Sequence, residues 1–292
     1  SYLDGSSIEE TQINTLTEHG ITVVVPAGNL NIARHARGTA TTAGATIGFN
    51  VPFPIATVYL SIVWRNPAQA LTFRLWSPNP LPGNPPVQSP PLPGDCLTTV
   101  TWAGQTASSC RAAVSSRGTA LYYITITGQG GATVFMGDWD LSMMAPSADT
   151  VVDAYVSDSQ NRWDGPVLFS EFTERARTIT SPSTADSAIS VGSYSTRNSA
   201  DTLSGQVGDL SNWSGLGPTV DGRMKPDITA PGHNDIMAAL SQFAGNPPNT
   251  FGYFGGTSAA GPHVAGTAAL MHEANPIASQ LYDHRLRSAC GH

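Results

Sequence analysis

Two kinds of hydrophobic pattern alternate along the chain. The first opens it. Ser6-Ser7-Ile8-Glu9-Glu10 reads as a helix start, with Ser6 or Ser7 as cap and a glutamate three residues on. Ile8, Ile13 and Leu16 are expected to face a core, and Gly20 to end the helix. Ile21 to Val25 is an unbroken run, β-branched throughout, as in a strand buried on both faces. Helix, glycine and buried strand make half of a parallel βαβ unit, and this strand runs into Pro26-Ala27-Gly28-Asn29.

From about Gly44 the pattern changes to short alternating or β-rich runs. They cover Thr57 to Trp64, Leu71 to Trp76, Leu97 to Trp102, Leu121 to Thr127, Thr133 to Leu141 and Val151 to Val156. Turn residues punctuate them and no helical period intervenes, which predicts an antiparallel sandwich. Eight prolines between Ser77 and Asp95 exclude a central strand there. The α/β pattern returns with Ala188-Ile189-Ser190-Val191-Gly192, preceded by Thr178-Ile179-Thr180-Ser181-Pro182-Ser183-Thr184-Ala185. Ile277 to Ala289 reads as a last amphipathic helix, after Asn275-Pro276 has ended the helix before it.

That earlier helix follows Phe254-Gly255-Gly256-Thr257-Ser258-Ala259-Ala260-Gly261-Pro262-His263-Val264-Ala265-Gly266. The glycine pair permits dihedrals closed to other residues and a close backbone approach. Ser258 falls at the helix start, where free N–H groups and the dipole favour negative charge. Pro262 is expected in the first turn, where its missing N–H is not needed. Ala265, Gly266, Ala268 and Ala269 suggest a helix packed tightly on all sides. A hydroxyl held there suits attack on an acyl carbon, since an oxyanion formed beside it meets preorganised N–H donors.

This segment closely resembles the nucleophile segment of the subtilisin-like serine peptidases, G-T-S-x-A-x-P-H-V-A-G. Pro26-Ala27-Gly28-Asn29 resembles the family's A-A-G-N. Ser211-Asn212-Trp213-Ser214-Gly215-Leu216-Gly217-Pro218 and Asp221-Gly222-Arg223-Met224-Lys225-Pro226-Asp227-Ile228-Thr229-Ala230-Pro231-Gly232 resemble its S-x-x-G-P and D-G-R-x-K-P-D-I-x-A-P-G. The resemblance implies a subtilisin-like parallel sheet flanked by helices, with its N-terminal strands absent from this chain. It divides the chain into a first core piece, 1–30, an inserted jelly-roll-like β-sandwich, 31–177, and a second core piece, 178–292. Insertions at this place occur in subtilases that resemble the clostridial germination proteases. The function implied is a secreted serine endopeptidase. Ser258 would be the nucleophile and Asn29 the second oxyanion donor, beside the Ser258 N–H. Ala27, Gly28, Gly256 and Thr257 would line the substrate cleft.

Composition narrows the partners. Charged residues are 12% of 292, the net charge is −7, and Lys225 is the only lysine. Such a surface has no electrostatic reason to bind nucleic acid or an anionic membrane, and no apolar run reaches the roughly 20 residues that span a bilayer. Cys96 and Cys110 flank a hairpin-like stretch and are placed to pair, leaving Cys290 over. No C-x-x-C spacing marks a zinc site. Low charge with a disulfide favours a secreted protein. No cofactor is called for. Family members often bind structural Ca2+, but no D-x-D-x-D run is present, and Asp138-Trp139-Asp140 is a candidate only in name.

A subtilase also needs an aspartate and a histidine, both upstream of the oxyanion asparagine. Asn29 leaves no room for them here. Asp4-Gly5-Ser6 precedes a helix rather than ending a strand, and His35-Ala36-Arg37-Gly38-Thr39, a distorted His-Gly-Thr, follows Asn29 and is expected to be loop. His19, His233, His272, His284 and His292 carry no motif, and His263 belongs to the serine helix. The chain opens on Ser1 and not on an initiator methionine, which suggests that upstream residues were removed or left out. The expectation is therefore a peptidase acting on protein or peptide, nearly inactive alone, completed by a second polypeptide or upstream fragment that carries the Asp and His. A pseudo-peptidase with a working sandwich is the alternative. A carbohydrate-binding sandwich is a third, resting on Trp64, Trp76 and Trp102, residues that are more often core.

Overall fold

The computed structural model describes residues 1–79, 81, 83–161, 166–233, 236–241 and 245–274. The expected last helix, Cys290, His284 and His292 lie outside the described residues. In chain order come α1 (Ile8–Glu18), β1 (Val24–Pro26), β2 (His35–Ala40), β3 (Ala45–Val51), β4 (Thr57–Trp64), β5 (Thr72–Ser77) and β6 (Val87–Gln88). Then follow β7 (Asp95–Trp102), β8 (Gln105–Arg111), β9 (Ala120–Gly128), β10 (Gly137–Met144), β11 (Thr150–Asp158) and β12 (Leu168–Phe169). The last are β13 (Ile189–Tyr194), β14 (Ile228–Pro231), β15 (Ile236–Ala239), β16 (Phe251–Phe254) and α2 (Thr257–Ala274). The chain divides into two units: Ser1–Tyr2 with Ile32–Arg175, and Leu3–Asn31 with everything from Ala176 onward.

The first unit is antiparallel throughout. One sheet runs β12-β3-β10-β5-β6 and the other β2-β11-β4-β9-β8-β7. Their inward residues share one core, including Ile47, Phe49 and Leu141 from the first sheet and Leu60, Ile62 and Ile124 from the second, all at 0% exposure. Trp64 and Trp102 belong to this core, and their indole N–H groups donate to Gln69 O and Ser77 Oγ. Cys96 and Cys110 are joined by a disulfide between β7 and β8. The eight-proline stretch contributes only the short edge strand β6, as missing N–H groups require.

The strand pattern begins earlier than Gly44, and His35 is not loop. It opens β2 and is fully buried. Its Nδ1 lies 3.0 Å from Glu174 O and its Nε2 3.0 Å from Asp153 Oδ1. Arg37 also donates to Asp153, and the His35 ring stacks on Tyr155 at 4.7 Å. A buried polar cluster of this kind turns charged residues inward, so the stretch loses the apolar alternation that announces a strand.

The second unit is built on a parallel sheet, β1-β13-β14. Val24, Ile189, Val191 and Ala230 pack on one face against Ala260 and Val264 of α2. Val25 packs on the other face with Ala185, Ala188 and Ile13 of α1. At the start of α1 the Glu10 carboxylate accepts the Ser7 N–H at 3.0 Å, and Gly20 follows the helix with φ 82°. Ile8 and Leu16 do not reach the core: they are 80% and 44% exposed, because α1 meets the sheet through a narrow stripe. Ile21 is 50% exposed too, and pairing starts only at Val24, opposite Ile189.

Nor is α2 packed on all sides. Ala265, Gly266 and Ala269 are not buried, Leu270 is 66% exposed, and a methyl group added at Gly266 would meet nothing within 4 Å. The reason lies beside it. Among the described residues β1 pairs on one side only. The flank of α2 next to that open edge lines a cavity of about 420 Å³ with Gly20, Thr22 and Val24.

Candidate active site

Ser258 is the second residue of α2 and is exposed, while Thr257 and Ala259 on either side are buried. The turn before it is held from below. Gly256, at φ 105°, donates its N–H to Gly232 O at 2.9 Å, and Ala259 N–H donates back to Gly256 O. Gly232 must lack a side chain, since a Cβ there would sit 2.8 Å from both Gly256 O and the Ala260 Cβ. The A-P-G of the sequence thus anchors the serine turn. Pro262 is the sixth helical residue, beyond the first turn. Lacking an N–H, it leaves the Ser258 carbonyl without its ordinary partner four residues on.

Asn29 reaches this turn from the end of β1. Its Oδ1 accepts the Thr257 N–H at 3.0 Å and the Thr257 hydroxyl at 3.1 Å. A backbone N–H can only donate, so the atom facing it must be the amide oxygen, which turns Nδ2 the other way. Thr257 Oγ1 in turn accepts the Gly28 N–H at 3.1 Å. Residues from opposite ends of the chain are locked by three hydrogen bonds through one threonine. A Cβ on Gly256 would lie 3.4 Å from Asn29 Nδ2 and 3.6 Å from the Ser258 N. The two donors therefore border the same space, kept open by the missing side chain. Among the described residues neither donor is engaged.

Ala27 and Gly28 have their backbone groups committed within the protein. Ala27 N–H donates to Val191 O and Ala27 O accepts Thr180 N–H, while Gly28 O accepts Gly215 N–H. Any lining role for them is one of shape. Gly28 has φ 100°, and a Cβ there would overlap Thr180 Oγ1 at 2.4 Å. Gly28→Ala should therefore displace Asn29: left-handed backbone alone costs roughly 1–2 kcal/mol, and thermal unfolding should show a lower melting temperature. A melting temperature equal to that of the native chain would contradict both the backbone strain at Gly28 and the Thr180 overlap.

Asp227 is structural, as its strand-end position suggests. It accepts the Ser190 N–H and pairs with the buried Lys225 at 2.6 Å. No described histidine is hydrogen-bonded to Ser258. His19 Nδ1 meets Thr15 O, His263 Nδ1 meets Ala259 O, and His272 meets Thr22. His233 lies between Ser199 and Ser211, against Trp213. Asp209 is held below the ordinary carboxylate range by hydrogen bonds from Ser204 and Gln206, and burial beside Glu171 raises Asp140. Neither hydrogen-bonds to Ser258, Asn29 or Thr257. Among the described residues no group of three or more His, Cys, Asp or Glu is placed to hold a metal ion.

The signal missed in the sequence is Thr257, which reads there as cleft lining and proves to be the bolt between Ser258 and Asn29. A hydroxyl with one donor and one acceptor neighbour can be recognised only once β1 and α2 are side by side.

An exposed serine at a helix start, facing an amide donor across a glycine turn, has the layout that acyl transfer requires. Comparisons with known proteins bear on the family of the chain. The model of the subtilase family matches residues 169–290, and this match supports a subtilisin-like peptidase. It is 35% identical over 108 residues to the serine protease AprX of Bacillus subtilis (strain 168), covering 35% of this chain and 24% of AprX. It is 39% identical over 77 residues to the minor extracellular protease Vpr of the same organism, covering 26% of this chain and 9% of Vpr. Its fold matches the structure of the CspB protease of Clostridium perfringens with a TM-score of 0.70, at 22% identity, over 93% of this chain and 53% of that one. The chain thus spans about half of the matched structure and less than a quarter of either relative. The family match does not reach Asn29, which the geometry alone brings to Thr257.

Proposed function

We propose that this chain is the serine-bearing part of a secreted serine endopeptidase of subtilisin type. Ser258 Oγ attacks the scissile carbonyl of a protein or peptide substrate. The oxyanion so formed is received by the Ser258 N–H and Asn29 Nδ2, collapse expels the amine, and water hydrolyses the acyl-enzyme. Ala27, Gly28, Gly256 and Thr257 shape the cleft. The chemistry needs no cofactor. The observation that carries this reading is the convergence of two donors on the space beside Gly256.

The base comes from outside residues 1–292. An imidazole must take the serine proton and an aspartate must orient it. We assign both to a docked segment that pairs with the open edge of β1 and covers the small-residue flank of α2. Two features support this. An open edge on a buried parallel sheet is an aggregation hazard, and Ala265 and Ala269, small and exposed on the flank beside that edge, suit a close neighbour. On this reading the core is 1–30 and 178–292, and 31–177 is a jelly-roll-like insertion. The extracellular name of Vpr and the disulfide support secretion.

A fluorophosphonate probe tests the reading. It should label Ser258 in the native protein and leave Ser258→Ala unlabelled. Equal, background-level reaction of both would show that Ser258 is not activated and leave a pseudo-peptidase.

A further inference from the structure

The outer face of the six-stranded sheet carries a pattern that peptidase chemistry does not use. On β4, β9, β8 and β7 the inward positions are mostly apolar, as a core requires. The outward positions through the middle of these strands are Thr57, Tyr59, Ser61, Tyr123, Thr125, Thr127, Thr106, Ser108, Thr99 and Thr101, and every one bears a hydroxyl.

The strand register sets them in rows. Thr57 lies opposite Thr127, Thr127 opposite Thr106, and Thr106 opposite Thr101. The next row is Tyr59, Thr125, Ser108 and Thr99, continued on β11 by Ser157. Ser61, Tyr123 and Cys110 form a third. The Tyr59 and Tyr123 rings lie within 21° of parallel, their centroids 6.3 Å apart, and Tyr123 is 37% exposed. The Cys96–Cys110 disulfide ties β7 to β8 at the end of the Tyr123 row. Asp95 closes that row at the margin, its carboxylate occupied by Thr98 and the Leu97 N–H.

The chemistry of the face selects its ligand. Without a cation in these rows it offers nothing to nucleic acid. These rows hold no aliphatic side chain, and the exposed Leu97 of β7 stands at the margin beside the disulfide. What it presents is a flat lattice of groups that both donate and accept, spaced by about 4.8 Å between strands and roughly 6.8 Å along them, beside an aromatic pair. That matches a ligand which is itself uncharged, extended and studded with hydroxyls. We propose that this face binds a neutral polysaccharide laid across the strands along the Tyr59–Thr125–Ser108–Thr99 row, with a sugar ring against Tyr123. The tryptophans of the core take no part.

Affinity electrophoresis of the intact protein through gels containing hydroxyethyl cellulose or laminarin tests this. Native protein should be retarded by at least one of the two. The Tyr59→Ala/Tyr123→Ala variant should lose at least tenfold in affinity while keeping the peptidase labelling at Ser258. Ser108→Glu, a change at a half-exposed position, should do the same if the tyrosine variant proves unstable. Absence of retardation in both gels, or retardation that these substitutions leave unchanged, would overturn the proposal. Neither result bears on Ser258, so the two readings stand or fall separately.

Discussion

Ser258→Ala, made in the assembled protein, is expected to lower kcat for a peptide amide by about 10⁶ and leave KM nearly unchanged. That magnitude is the one known for loss of the nucleophile in subtilisin, the archetype of the family. The physical reason is local. The hydroxyl stands exposed at the start of α2, where no other described nucleophile shares the space beside Gly256. Alanine keeps the helix start and the donors but removes the atom that, on the proposed reading, forms the acyl bond. Kinetics on a chromogenic peptide decide the matter. Activity within tenfold of native would place the nucleophile elsewhere.

Asn29→Leu is expected to cost about 10²–10³ in kcat with little change in KM, again the scale set by the matching donor of subtilisin. The substitution removes Nδ2, whose hydrogen bond strengthens only as charge develops on the substrate oxygen. It also strands the Thr257 N–H and hydroxyl, which Oδ1 now accepts. Thr257→Val separates the two effects, because it breaks the bridge to Gly28 and Asn29 while sparing the donor. Two neutral hydrogen bonds are lost, each worth ~0.5–1.5 kcal/mol, so Thr257→Val should slow the reaction by about 10²-fold at most. Equal losses from both substitutions would mean that Asn29 acts only through the position of the turn.

Motifs carried by short stretches can be read from the sequence, because their physics is local. The glycine pair before Ser258, the Ser7–Glu10 cap and the buried run into Asn29 each announce themselves within a dozen residues. What cannot be read depends on distant neighbours. His35 looks like loop because its partners, Asp153 and Glu174, lie more than a hundred residues on. Ala265 and Ala269 look buried because small residues usually are, yet they border the open edge of β1. Pro262 looks like a first-turn residue because the register of a helix start cannot be fixed to within a few residues without its hydrogen bonds. Trp64 and Trp102 are core, as large aromatics on alternating strands commonly are.

The same open edge makes the central claim testable by mass. The claim is that the peptidase is completed by a docked segment carrying the aspartate and histidine. Native and denaturing mass spectrometry of the purified active protein compare the two states directly. The expected result is a larger native mass that separates, on denaturation, into the 30.5 kDa chain and a second polypeptide bearing an Asp-Ser/Thr-Gly strand and a His-Gly-Thr helix, or else one longer chain in which those motifs precede Ser1. An active preparation showing a single 30.5 kDa species under both conditions would contradict it.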